Sequence, residues 1–172
     1  MNAYIHSYLL PDNTRPIAFI LGDSGDDWID GGDGVDHISG GPGDDIVFTG
    51  SGATVGTGSF VTGSTGDDEI TGGVDADDLR GGSGDDTIYG KAGVAEICGN
   101  TDNDSLIGGG GIDTLRGGAG DDEISGNADN DILIGGSGID TLRGGGGDDS
   151  CDGGSGSADR ATGSCETVIR VP

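Results

Sequence analysis

Across 172 residues the chain holds 41 glycines, 32 acidic side chains and only 7 Lys or Arg, for a formal net charge of -25. Three Phe, three Tyr and one Trp are too little apolar bulk for an ordinary globular core, because each glycine also adds backbone entropy that folding must remove. So acidic a surface excludes a nucleic-acid partner, and no stretch is long and apolar enough to form a transmembrane helix.

Residues 1–21, MNAYIHSYLLPDNTRPIAFIL, gather apolar side chains around Pro11 and Pro16 but lack a basic start followed by a long apolar run, so they do not read as a signal peptide. They are expected to cap the first coil of a repetitive region that begins at Gly22, or to be the remnant of an upstream segment. Residues 22–48 read GDSGDDWID, GGDGVDHIS and GGPGDDIVF, three successive copies of the template Gly-Gly-x-Gly-x-Asp-x-apolar-x. Residues 49–62, TGSGATVGTGSFVT, contain no acid and are expected to form an irregular insertion, either a bulged coil or a side loop. The register resumes at Gly63 and runs through eleven copies to Ala161. Within residues 99–152 a block of 27 residues is duplicated, and 27 is three nonapeptides, so the copying preserves the unit. Residues 162–172 lose the repeating Asp and gain a β-branched run, as a carboxy-terminal cap would.

Of the acids, 28 are Asp and only 4 are Glu, a bias toward short oxygen ligands that solubility alone does not require. Position six is Asp in twelve of the fourteen copies, with Ala95 and Ala158 the exceptions. Position eight is Ile, Leu or Val in twelve, with Cys151 and Arg160 the exceptions. The glycines suit a tight loop of positive φ, and the last three positions suit a very short strand with position eight on one face. The inward row is then Ile29, Ile38, Val47, Ile70, Leu79, Ile88, Ile97, Leu106, Leu115, Ile124, Leu133 and Leu142. Two units make one flattened coil of 18 residues, and coils stack about 4.8 Å apart with parallel strands.

The span of residues 22–161 resembles the RTX, or haemolysin-type calcium-binding, nonapeptide-repeat family. That resemblance implies an all-β fold, a right-handed parallel β-roll (a β-solenoid) of nine-residue half-coils with Ca²⁺ held in the turns between loops one coil apart. It implies metal ligands at Asp27, Asp36, Asp45, Asp68, Asp77, Asp86, Asp104, Asp113, Asp122, Asp131, Asp140 and Asp149. Backbone carbonyls of Ser64, Gly66, Gly81 and Ser83, and their equivalents, would complete the set. About seven sites are expected: Asp27/Asp45 as a separate short ladder, Asp68/Asp86, Asp86/Asp104, Asp104/Asp122 and Asp122/Asp140 on one edge, and Asp113/Asp131 and Asp131/Asp149 on the other. Sites involving Ala95 or Ala158 are expected to be weak or empty, and residues 49–62 to bind nothing. The fourth-position acids Asp75, Asp102 and Asp129 either add outer carboxylates or serve as turn residues that tolerate a left-handed backbone.

With stacked carboxylates repelling one another, the metal-free chain is expected to be disordered and folding to be coupled to calcium uptake. The resemblance thus implies a secreted or cell-surface calcium-binding structural module, part or relative of a larger RTX-type protein. A fibre or surface-layer subunit stacking end to end is the alternative, and an ice-binding or adhesin module a less favoured one. No enzymatic motif is present, and His37 reads as a surface side chain. Arg80, Arg116 and Arg143 occupy outward ninth positions, where they offset local negative charge. Cys151 and Cys165 could be bridged in an oxidising compartment, leaving Cys98 unpaired.

Overall fold

The computed structural model describes residues 4–6, 17–50, 58–156, 158–163 and 165–170. Most of the expected amino-terminal cap and residues 51–57 of the expected insertion therefore lie outside the described residues. Within them, strands from Tyr4–His6 to Cys165–Arg170 enter two nine-stranded sheets in alternation, and every pairing is parallel. Each strand pairs with the strands one coil before and after it: Ile97 faces Leu79 on one side and Leu115 on the other. The fold is the expected all-β solenoid, wound about eight times.

The nonapeptide explains the strand. In Asp78–Ser83 the burial alternates so that Leu79 and Gly81 point inward while Asp78 and Arg80 point out. Position eight of one unit and position one of the next therefore share the interior. The expected inward row is buried in full, and Ile20, Val61 and Cys151 extend it. Between the sheets lies a single layer of Ile, Leu and Val, and truncating one of these to Ala costs about 2–5 kcal/mol.

Two sequence expectations give way to the structure. Residues 58–62, placed within the irregular insertion, belong to a regular half-coil. Phe60–Thr65 pairs with His37–Pro42 and with Asp78–Ser83, Val61 fills the core column, and Ser59 takes position six. Five residues beyond a count of nine precede this strand in the sequence, and an apolar residue at the column position is worth more than an unbroken count. The second difference lies at the other end. A strict count of nine puts Arg160 in the core and Ala158 at the ligand position, yet Ala161 faces Leu142 and Arg160 is exposed. One added residue in the loop spares the guanidinium from burial, a cost that no partner in an apolar layer would offset.

Candidate metal centre

Both edges of the roll are built from position-six side chains stacked coil upon coil. On the first edge the stack is Asp27, Asp45, Asp68, Asp86, Asp104, Asp122, Asp140 and Asp159. Each N–H donates to the Oδ1 of the next Asp in the column, at 2.8 Å from Asp27 to Asp45 and from Asp45 to Asp68, and at 3.1 Å from Asp140 to Asp159. The interior steps, Asp68 to Asp86, Asp86 to Asp104, Asp104 to Asp122 and Asp122 to Asp140, are alike. Asp27 and Asp45 are therefore no separate ladder: the column runs unbroken past the insertion. Asp159, not Ala158, ends it.

The second edge reads Ala18, Asp36, Ser59, Asp77, Ala95, Asp113, Asp131 and Asp149. Ala18 and Ala95 donate to the next carboxylate but offer none of their own. Ser59 substitutes a hydroxyl, which accepts from Asp36 N–H. Asp113 to Asp131 and Asp131 to Asp149 continue the regular pattern.

The other carboxylate oxygen carries the chemistry. Oδ2 is buried and has no hydrogen-bond partner in Asp36, Asp45, Asp68, Asp86, Asp104, Asp113, Asp122, Asp131 and Asp140. A buried charged oxygen left this way costs more than any packing it permits, unless a cation completes it. The wall around it is glycine for a physical reason: a Cβ on Gly63, Gly81 or Gly99 would collide with the Oδ2 of Asp68, Asp86 or Asp104. Behind it, carbonyls stack. The Ser64 oxygen lies under Gly82, at φ +138°, and the Gly66 oxygen under Gly84, at φ +120°, close enough to forbid a side chain at either. Of the other two expected carbonyl ligands, Ser83 accepts the Gly66 N–H at 2.9 Å. Gly81 occupies the inward position next to Asp86.

The donor set suits a hard cation: carboxylate and carbonyl oxygens, one side chain from each coil. Among the described residues no three His, Cys, Asp or Glu side chains converge on one point, as expected when carbonyls supply most of the oxygens. Burial drives the carboxyls upward, against the N–H bond that each accepts. Asp104 is pushed up to about 8 and Asp68 to about 7, with neighbouring Asp charges adding to the effect. Asp86, Asp122, Asp113 and Asp131 rise to about 6 from the same leading cause. Asp36, Asp45 and Asp140 also rise.

Asp77 differs from its neighbours. Its Oδ2 accepts Gly73 N–H at 2.8 Å and lies 3.4 Å from Thr49 Oγ1, while Oδ1 accepts Ser59 N–H. The carboxylate is consumed by the fold, between Ser59 and Ala95 in the column. Asp102 and Asp129 are turn residues at φ 78° and 75° whose Oδ2 atoms accept Gly84 and Gly111 N–H.

A feature that sequence reasoning missed lies outside the first column. At position five, Asp26, Asp44, Asp67, Asp85, Asn103 and Asp121 form an exposed ladder running in the opposite sense, each side-chain oxygen accepting the N–H of the following coil. Its signal was the recurrent Asp-Asp pair. The second edge carries Val35, Gly58, Ala76, Val94 and Ile112 at that position before Asn130, whose Oδ1 accepts Asp148 N–H, and Val94 and Ile112 are more than half exposed.

On the sheet faces, His37 stacks on Phe19 at 5.0 Å between ring centroids and lies 6.2 Å from Phe60, within an aromatic row. Arg80 pairs with Asp78 and lies over the Phe60 ring, and Arg116 pairs with Glu96. No described helix is long and apolar enough to cross a membrane.

Comparison with known proteins yields one result. The family model described as the RTX calcium-binding nonapeptide repeat matches four times, at residues 21–55, 60–94, 99–133 and 125–157. Neither the curated proteins nor the solved structures give a match to the chain.

Proposed function

Since the chain belongs to the RTX calcium-binding nonapeptide-repeat family, we propose that it is a structural module that takes up Ca²⁺ along its two loop edges, folds as it does so, and works outside the cell. The row of buried, unpartnered Asp Oδ2 atoms carries this reading. Bound calcium supplies positive charge at these oxygens, and the residues of the chain do the rest. Asp carboxylates from adjacent coils hold the ion, glycines at position one leave it room, and carbonyls at positions two and four line the loop.

On this reading the first edge holds ions in the intervals Asp27/Asp45, Asp45/Asp68, Asp68/Asp86, Asp86/Asp104, Asp104/Asp122 and Asp122/Asp140. The second edge holds them at Asp113/Asp131 and Asp131/Asp149, while Ser59, Asp77 and Ala95 leave a gap and Asp36, between Ala18 and Ser59, has no carboxylate in either adjacent coil with which to share an ion. Those eight ions would carry 16 positive charges against the formal -25, which couples binding to folding. Extracellular calcium modules bind at roughly 10⁻⁴ to 10⁻³ M, so such a chain stays open in a low-calcium cytosol and closes outside.

The test is a calcium titration followed by far-ultraviolet circular dichroism and light scattering, then reversal with a chelator. The expected result is a β signal that appears with calcium and vanishes on chelation, without a rise in scattering. A β signal indifferent to calcium overturns the proposal, and scattering that grows with the β signal favours the end-to-end fibre.

A further inference from the structure

We propose that the Cys151–Cys165 disulfide builds one more calcium site, between Asp140 and Asp159 at the carboxy-terminal end of the first column, so that the last ion is held firmly only by the oxidised protein. The inference rests on the calcium-binding reading of the loop edges. It adds a site that the nonapeptide count excludes, and makes that site depend on redox state.

Asp159 is one residue out of register and only half-buried, yet its carboxylate takes the same partners as those before it. Its Oδ1 accepts Asp140 N–H at 3.1 Å, and its Oδ2 lies where a Cβ on Gly153 would be, as Asp86 Oδ2 does beside Gly81. The carbonyls line up as well. Gly138 O lies under Gly156 and Gly136 O under Gly154, as Gly66 and Ser64 lie under Gly84 and Gly82. Gly136 O also accepts Ser155 N–H at 2.6 Å and the Ser155 hydroxyl at 3.3 Å, so an ion there would have to displace that hydroxyl.

This end is held less firmly than the coils just before it. The strand after Asp159, Arg160–Thr162, has three residues, as do those after Asp27, Asp45 and Asp68, where its sheet neighbour Thr141–Gly146 has six. Its core side chain is only Ala161, partly buried. The disulfide supplies the missing constraint. Cys151 is fully buried in the core column, Cys165 opens the last strand, and their Cα atoms lie 5.5 Å apart with Asp159 in the loop they close. Closing that loop removes conformational freedom that an ion at Asp159 would otherwise have to restrict. Reduction by a dithiol breaks the S–S bond and leaves an S–H on each cysteine. The two electrons and two protons come from the dithiol, which closes to its own disulfide.

The experiment counts ions by calorimetry in the full chain carrying Cys98→Ser, which prevents disulfide exchange with the third thiol. Four samples are compared: oxidised, dithiol-reduced, oxidised with Asp159→Asn, and Cys165→Ala, which keeps the buried Cys151 in place. Hydrogen exchange at the Asp159 and Arg160 amides supplies a second readout. The oxidised protein should bind one ion more than Asp159→Asn. Reduction and Cys165→Ala should weaken that same ion more than about tenfold and speed exchange at both amides, with the upstream ions unchanged. Equal ion numbers and affinities in all four, with calcium-dependent folding intact, overturn this inference alone. Loss of the upstream ions on reduction also overturns it, because the disulfide would then support the whole roll. No calcium uptake by any sample overturns both this inference and the calcium-binding reading.

Discussion

The two loop edges are made from one nonapeptide, yet they differ at two of its nine positions. On the first edge position six is a carboxylate in every coil from Asp27 to Asp159, and position five adds a second hydrogen-bonded ladder from Asp26 to Asp121. On the second edge position six lapses at Ala18, Ser59 and Ala95, and position five is apolar at Val35, Ala76, Val94 and Ile112 before a ladder step at Asn130 and Asp148. Both edges keep the same core column and sheet register. The coil therefore tolerates gaps in its carboxylate column, because sheet pairing and the Ile/Leu layer serve both edges alike. The unbroken Asp column is more than sheet pairing requires, which accords with the proposed ligand role.

Substitution breaks the comparison most sharply. Asp104→Ala removes a carboxylate shared by two intervals and should lower the ion count by two, with a large drop in the calcium-dependent melting temperature. Asp77→Ala should leave the count unchanged, since that side chain is already bonded to Gly73 and Ser59 N–H, and should cost about 1–3 kcal/mol through the donors left behind. Calorimetry with thermal melts separates the two variants. Ala95→Asp runs the comparison in reverse. It restores the second column beside Asp113 and should add an ion there, measured as a rise in stoichiometry.

Acid sharpens the contrast further. Burial raises the folded carboxyls above the usual carboxylate range, so the folded, metal-free chain binds protons more tightly than the unfolded one. Its stability is greatest below the unfolded value of 3.8 and is lost as pH rises through about 7 at Asp68 and about 8 at Asp104. Calcium replaces those protons, so its affinity in the first-edge intervals bounded by Asp68 or Asp104 should keep rising between about pH 6 and about pH 8. At Asp113 and Asp131, raised to about 6, affinity should level off sooner. Calcium isotherms at several pH values test this. The smallest effect belongs to the sheet face: Arg116→Ala breaks an exposed ion pair with Glu96 and should change stability by less than about 1 kcal/mol in a chemical melt.

Much of this was legible in the sequence, and the reason is periodicity. A nine-residue unit repeated through residues 63–152 fixes which side chains face in, and Ile70 through Leu142 are buried as the count requires. The count failed where a loop absorbed extra residues, since nothing local distinguishes an added loop residue from a template residue. Ser59 and Val61 were hidden behind a stretch without acids, and Asp159 behind a single insertion. Only their strand partners, Ile38 and Leu142, identify their places. The position-five ladder was hidden for a different reason. Its Asp residues were visible as charge, but their N–H partners lie a coil away and depend on the fold.

Anomalous diffraction from crystals grown in calcium tests the central claim most directly, because it locates every ion along both edges at once. Peaks should appear in each interval of the first column from Asp27 to Asp140, and on the second edge only between Asp113 and Asp149. Equal filling of the two edges, or a peak beside Ala95, would contradict it.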